Sequence, residues 1–134
     1  MIKRKIAFNL LIFDKLSDLS QNDQKLLKDA IAARSNAYAP YSKFKVGAAV
    51  LQAGARFPGV AITAIAISTL PSERIGATPA APCGNCRQSI VEYEQRQQSP
   101  ISIIMGSEKG QIYKCSSMGD ILPLVFDGSF LNDS

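Results

Sequence analysis

The chain contains no histidine. That removes the commonest general base and the commonest zinc ligand together, so any catalysis has to use carboxylates, cysteines or a metal. No apolar run approaches the ~20 residues needed to cross a bilayer, which points to a soluble protein with no membrane partner. Cysteine is scarce as well. There are three, an odd number, and two of them are separated by only two residues. This fits a metal or redox site in a reducing compartment, with the cytoplasm as the default, better than a disulfide framework. Nor is charge of one sign concentrated anywhere. The net charge is +4, yet Lys and Arg are interleaved with Asp and Glu, so no face is built to neutralise phosphates and no nucleic-acid partner is expected. Internal repeats and low-complexity tracts are missing too. The basic Lys3, Arg4 and Lys5 before Ile6 to Phe13 resemble a signal peptide in outline, but Asn9 interrupts the apolar stretch and no small-residue cleavage site follows.

What is present is 134 residues and 14.4 kDa, 46% hydrophobic and 19% charged, enough for a single domain spanning 1–134 with its own core. Ile6 to Phe13 reads as a strand. Ser20 is placed to cap a helix with Asp23 in its first turn, and Leu26, Leu27, Ala30, Ala33 and Ala37 recur at helical spacing until Pro40 stops it. Val46 to Leu51 and Val60 to Ile67 read as buried strands, both central in a sheet. Ser68 to Pro82, rich in proline, reads as a surface loop. From Gly84 to about Gln97 an amphipathic helix is expected, with Cys86, Ile90 and Tyr93 inward and Arg87, Glu92, Glu94 and Arg96 opposite. Ile101 to Met105 and Gln111 to Cys115 form two strands joined through Ser107 to Gly110, with glycine where a positive φ is needed. Ile121, Leu122, Leu124 and Val125 make a short closing helix. This order of elements is that of a layered α/β domain.

Pro82-Cys83-Gly84-Asn85-Cys86 carries the chemistry. Two thiols at the start of a helix meet unpaired backbone N–H groups and the positive end of the dipole, which favour the thiolates that bind zinc at about 2.3 Å. The spacing alone leaves open a pair of structural cysteines or a redox dithiol. A long proline-rich loop before the pair is unlike the strand that directly precedes thioredoxin-type motifs. Cys115, on a late strand, reads as a buried apolar residue rather than a third ligand.

The residues around the pair resemble a known family. P-C-G-N-C-R-Q at 82–88 is similar to the second zinc motif of the cytidine deaminases, P-C-x-x-C continuing into R-Q. A-Y-A-P-Y-S-K-F-K-V-G-A-A-V at 37–50 looks like that family's A-Y-A-P-Y-S-x-F-x-V-G-A-A segment, and D-I-L-P-L-V-F at 120–126 resembles its D-L-L-P-x-x-F closing motif. The resemblance implies a three-layer α-β-α mixed sheet with flanking helices. It further implies zinc held by Cys83 and Cys86, thiolates steadied by Arg87, and a pyrimidine nucleoside contacted by Phe44 and Phe126. The implied activity is hydrolytic deamination of cytidine or deoxycytidine in pyrimidine salvage, by a homo-oligomer, tetramer or dimer.

The family pattern is incomplete in one place. The hairpin partner strand with its ribose-binding N-x-E-N stretch is absent, as is the following helix with its C-A-E or H-A-E motif, which supplies the third zinc ligand and the proton-shuttling glutamate. Val46 to Leu51 instead runs straight into 52–59, which resembles the tail of that helix, so roughly thirty residues are missing near 50–53. Ser72-Glu73-Arg74 is superficially similar to A-E-R, which makes Glu73 a weak substitute for the glutamate. Two readings follow: a deaminase whose catalytic segment is absent from this sequence, or a catalytically inactive oligomeric binding protein of the same family.

Overall fold

The computed structural model describes residues 1–34, 46–52, 61–69 and 79–126, with 46–52 described by backbone alone. Five strands form one mixed sheet: β1 (Leu11–Phe13), β2 (Val46–Gln52), β3 (Ile62–Thr69), β4 (Ser102–Met105) and β5 (Ile112–Cys115), ordered β1-β5-β4-β3-β2. β3 and β4 are parallel, and the other neighbours are antiparallel. Helices α1 (Gln21–Arg34) and α2 (Gly84–Gln97) cover opposite faces. The three-layer α/β arrangement expected from the sequence is therefore present.

β3 shows why both faces are covered. Ala64 and Ala66 point to the α1 side, where they meet Leu26, Leu27 and Ala30. Ile65 and Ile67 point to the other side, with Val91 of α2, Ile103 and Met118. Period-two alternation here separates small from large side chains rather than apolar from polar, which is how a strand buried on both faces reads. The alanines let α1 lie close to the sheet. Gly106, just after β4, makes room within the sheet instead: a Cβ there would come within 2.8 Å of the Ile112 side chain on β5.

Local signals set the helix starts and the hairpin. Ser20 Oγ accepts from the Asp23 N–H at 3.3 Å, and the Gln24 N–H reaches the Ser20 carbonyl at 2.8 Å, so the expected cap is made. Gly110 takes the positive φ, 87°, that the hairpin requires.

Several expectations need correcting. Strand β1 covers only Leu11–Phe13 of the expected Ile6 to Phe13, because as an edge strand it pairs with just three residues of the short β5, and Ile6 and Phe8 are exposed. β2, expected in the middle of the sheet, pairs with β3 alone and lies at the edge of the described sheet. Ser68, expected in the surface loop, is fully buried in β3 because it accepts from Arg34. Ala33 is exposed, and Ala37 and Pro40 lie outside the described residues. In α2 the inward face is Ile90, Val91 and Glu94 rather than Cys86, Ile90 and Tyr93: Glu94 is buried, while Cys86 and Tyr93 are exposed. The closing segment is a short 3-10 helix, Met118–Ile121, that begins earlier than expected, with Leu124 beyond it exposed.

Arg34, at the end of α1, is the most heavily bonded buried side chain on that face. Its Nη1 donates to Ser68 Oγ and Ser107 Oγ, each at 2.7 Å, and its Nη2 to both Glu108 carboxylate oxygens at 2.6 Å. This ties the helix to the C-terminal ends of the two parallel strands. At the other end of α1, Lys114 Nζ on β5 meets Asp23 Oδ2 at 2.6 Å.

Candidate metal site at the start of helix α2

Cys83 is the N-cap of α2, in extended conformation, and Cys86 lies in the first turn. The Cys86 N–H points at Cys83 Sγ at 3.4 Å, so the sulfur takes the place a serine or aspartate oxygen usually occupies at a helix start. That hydrogen bond is the main reason the Cys83 thiol is pulled below its ordinary pKa. Its partner moves the other way: the hydrogen bond shared with Cys83, then burial, then the Cys83 charge push the Cys86 thiol up. One thiolate is favoured and the second resists ionising beside it.

Both cysteines are exposed, with Gly84 and Asn85 between them, so an ion can reach the pair directly. Two thiols fit two positions of a zinc site, which takes three or four protein ligands. Among the described residues, no group of three His, Cys, Asp or Glu side chains that could hold a metal is formed. Cys115 does not join the pair. It is buried in the core on the α2 side of the sheet, its thiol donates to the Ser117 carbonyl at 3.4 Å, and burial raises its pKa. Glu73 and Phe44 lie outside the described residues.

Arg87 and Phe126 both come to this end of α2. The Arg87 guanidinium donates from Nε to the Pro82 carbonyl at 2.8 Å and from Nη1 to the Ile121 carbonyl at 2.9 Å. Gln88 Nε2 donates to the Phe126 carbonyl at 2.8 Å, which folds the segment after the 3-10 helix back over the first turns of α2. Phe126 is about half exposed, at 55%.

No family model matches the chain. It is, however, 29% identical to a cytidine deaminase of Halalkalibacterium halodurans over 136 residues, covering 82% of this chain and 98% of that protein. It is 31% identical to a cytidine deaminase of Sporosarcina psychrophila over 126 residues, covering 77% of this chain and 90% of that protein. The chain belongs to the cytidine deaminase family. The first alignment is longer than the chain itself, although only 82% of 134 residues, about 110, take part, so about 26 of its positions have no counterpart here. In the second, 77% is about 103 residues against 126, leaving about 23 such positions.

Sequence reasoning found the thiol pair but missed the carboxylate behind it. Glu94 accepts from the Ile101 N–H at 2.6 Å, Ser117 Oγ at 2.9 Å, the Met118 N–H at 3.1 Å and the Gly119 N–H at 3.2 Å. The signal was available, because Glu94 follows Ile90 by four residues and Val91 by three, which puts it on the buried stripe of α2. Its charge argued for solvent and hid that spacing.

Proposed function

We propose that Cys83 and Cys86 are two of the ligands of a zinc ion in an enzyme that deaminates cytidine or deoxycytidine hydrolytically, giving the uridine and ammonia. The observation that carries this is the exposed thiol pair at the N-terminus of α2, one sulfur already accepting a backbone N–H, in a chain of the cytidine deaminase family. Bound zinc supplies the Lewis acidity that activates water near neutral pH, and the helix start supplies the N–H groups that keep the thiolates ionised. Phe126, and Phe44 ahead of β2, are the proposed nucleoside contacts. A homo-oligomer, tetramer or dimer, is the proposed assembly, and pyrimidine salvage in the cytoplasm the proposed setting.

Deamination also needs a third ligand and a carboxylate that carries protons to the ring nitrogen and the departing amine. We assign both to a segment of the family pattern that is absent near 50–53. The unmatched positions in both alignments support that assignment, since their number is close to a strand plus a helix with their turns. The complete polypeptide is then the enzyme.

A second reading has its own support. The described residues hold two thiols and no third metal ligand beside them, which suits a family member that binds without turning over. One experiment separates the two: intact mass of the protein purified from its native source, with a cytidine-to-uridine assay on the same sample after zinc loading. Turnover together with a mass about three kilodaltons above 14.4 kDa supports the deaminase. A mass of 14.4 kDa with no uridine formed supports the binding protein and removes the deaminase reading.

A further inference from the structure

We infer that Glu94 is a positioning residue for the thiol pair, acting through Arg87, which the family resemblance already sets behind the thiolates, in a continuous brace that runs from the buried part of α2 back to its exposed start. The inference rests on the reading of Cys83 and Cys86 as metal ligands. The brace begins at Glu94, whose carboxylate collects the first N–H groups of the 3-10 helix, those of Met118 and Gly119, together with its capping hydroxyl, Ser117 Oγ. A carboxylate at a helix start is favoured by those otherwise unpaired donors, so the 3-10 helix is held at one fixed distance from α2. Its last residue, Ile121, then offers its carbonyl to Arg87 Nη1 at 2.9 Å. The same guanidinium reaches the Pro82 carbonyl through Nε at 2.8 Å, one residue before Cys83.

Pro82 itself is buried, whereas Cys83 to Cys86 are exposed. Packing therefore stops at Pro82. Beyond it, the direction of the two sulfurs depends on where the peptide between Pro82 and Cys83 points, and its oxygen is the atom that Arg87 holds. A planar guanidinium with two donors at a fixed angle can bridge two carbonyls at once, which a lysine ammonium on a flexible stem cannot do with the same geometry. Glu94 adds one more restraint, since Oε2 also accepts the Ile101 N–H that starts the run into β4. The metal loop is thus referenced to the sheet through hydrogen bonds rather than through apolar contact. Groups that orient ligands in this way, without touching the metal, typically change its affinity by about 10- to 100-fold when removed.

The test uses the full chain carrying Arg87→Lys or Glu94→Gln, with Arg96→Gln on the exposed side of α2 as control. Cobalt(II) titration followed by the cobalt–thiolate absorption reads the metal site. Amide hydrogen exchange of 83–87 in metal-free protein reads the loop without metal, and urea unfolding reports stability. The expected result is cobalt affinity about 10-fold or more weaker in both variants and faster exchange at 83–87, with Arg96→Gln unchanged. Arg87→Lys, a partly exposed site, is expected to do this without moving the unfolding midpoint, which a merely structural role would not produce. Where Glu94→Gln does not fold, Ser117→Ala, which removes one donor to that carboxylate, takes its place beside Arg87→Lys. Wild-type exchange at 83–87 in Arg87→Lys overturns the brace. If the parent chain itself gives no cobalt–thiolate absorption, the metal reading fails, and the exchange data still decide whether the brace exists.

Discussion

Helix α1 buries residues from its second turn to its last residue, from Leu26 to Arg34, whereas α2 buries only Val91 and Glu94 and leaves its first turn in solvent. Both helices have 14 residues, and both cover one face of the same sheet. α1 fastens the layers: apolar contacts run to β3 and β4, an ion pair ties its start to β5, and a guanidinium ties its end to the strands. α2 is held by its middle and by hydrogen bonds, and it presents a capping thiol outward. Leaving a helix start unpacked forgoes burial energy, but it keeps the unpaired N–H groups and the dipole available to a charged ligand. The contrast separates a part of the molecule that stabilises from one left open to solvent.

Substitutions should break that contrast in opposite directions. Cys83→Ser keeps a good N-cap but replaces the softer ligand, so cobalt or zinc affinity should fall by roughly 100-fold or more, with unfolding free energy changed by less than about 0.5 kcal/mol. Titration and denaturation on the same sample check both halves. Leu27→Ala, at the fully buried centre of α1, should do the reverse: it should cost about 2–5 kcal/mol in urea unfolding while thiol accessibility at Cys83 stays unchanged.

Smaller effects sharpen the picture of α1. Ser20→Ala removes the oxygen that accepts the Asp23 N–H and should destabilise by about 1 kcal/mol in the same assay. The Arg34–Glu108 pair makes a pH-dependent contribution. Burial by itself would raise the Glu108 carboxyl, but hydrogen bonds from Ser107, its own N–H and Arg34, together with the Arg34 charge, bring it down to about 2. A carboxyl lowered on folding stabilises the fold above its unfolded pKa, and that stability is lost as pH falls from about 4.5 to about 2. The Glu108 side chain is 43% exposed, so solvent screening limits the loss to about 1 kcal/mol or less. Glu108→Gln should flatten this part of the acid-unfolding curve, measured as urea midpoints at several pH values.

Much of the candidate site was legible because its signals are local. Two thiols two residues apart, a proline before them and an amphipathic stretch after them mark a helix start that carries thiols, with no help from the rest of the chain. Glu94 was legible by its spacing alone and hidden by its charge, because what makes a buried carboxylate tolerable is a set of N–H and O–H donors at 101 and 117–119, outside α2. Arg34 is a similar case: its partners lie 34 and 73 residues away.

By itself the sequence determined the layered α/β order, the cap at Ser20, the extent of α2, the positive φ at Gly110 and the thiol pair. Each of these follows from torsional preference, spacing or donor chemistry within a few residues. Only the tertiary structure decided that β1 is three residues long, that β2 lies at the edge of the described sheet, and that two charged side chains belong to the interior. Those outcomes depend on which distant strand or N–H group lies alongside, and a strand, carboxylate or guanidinium has no fixed place until its partner has arrived.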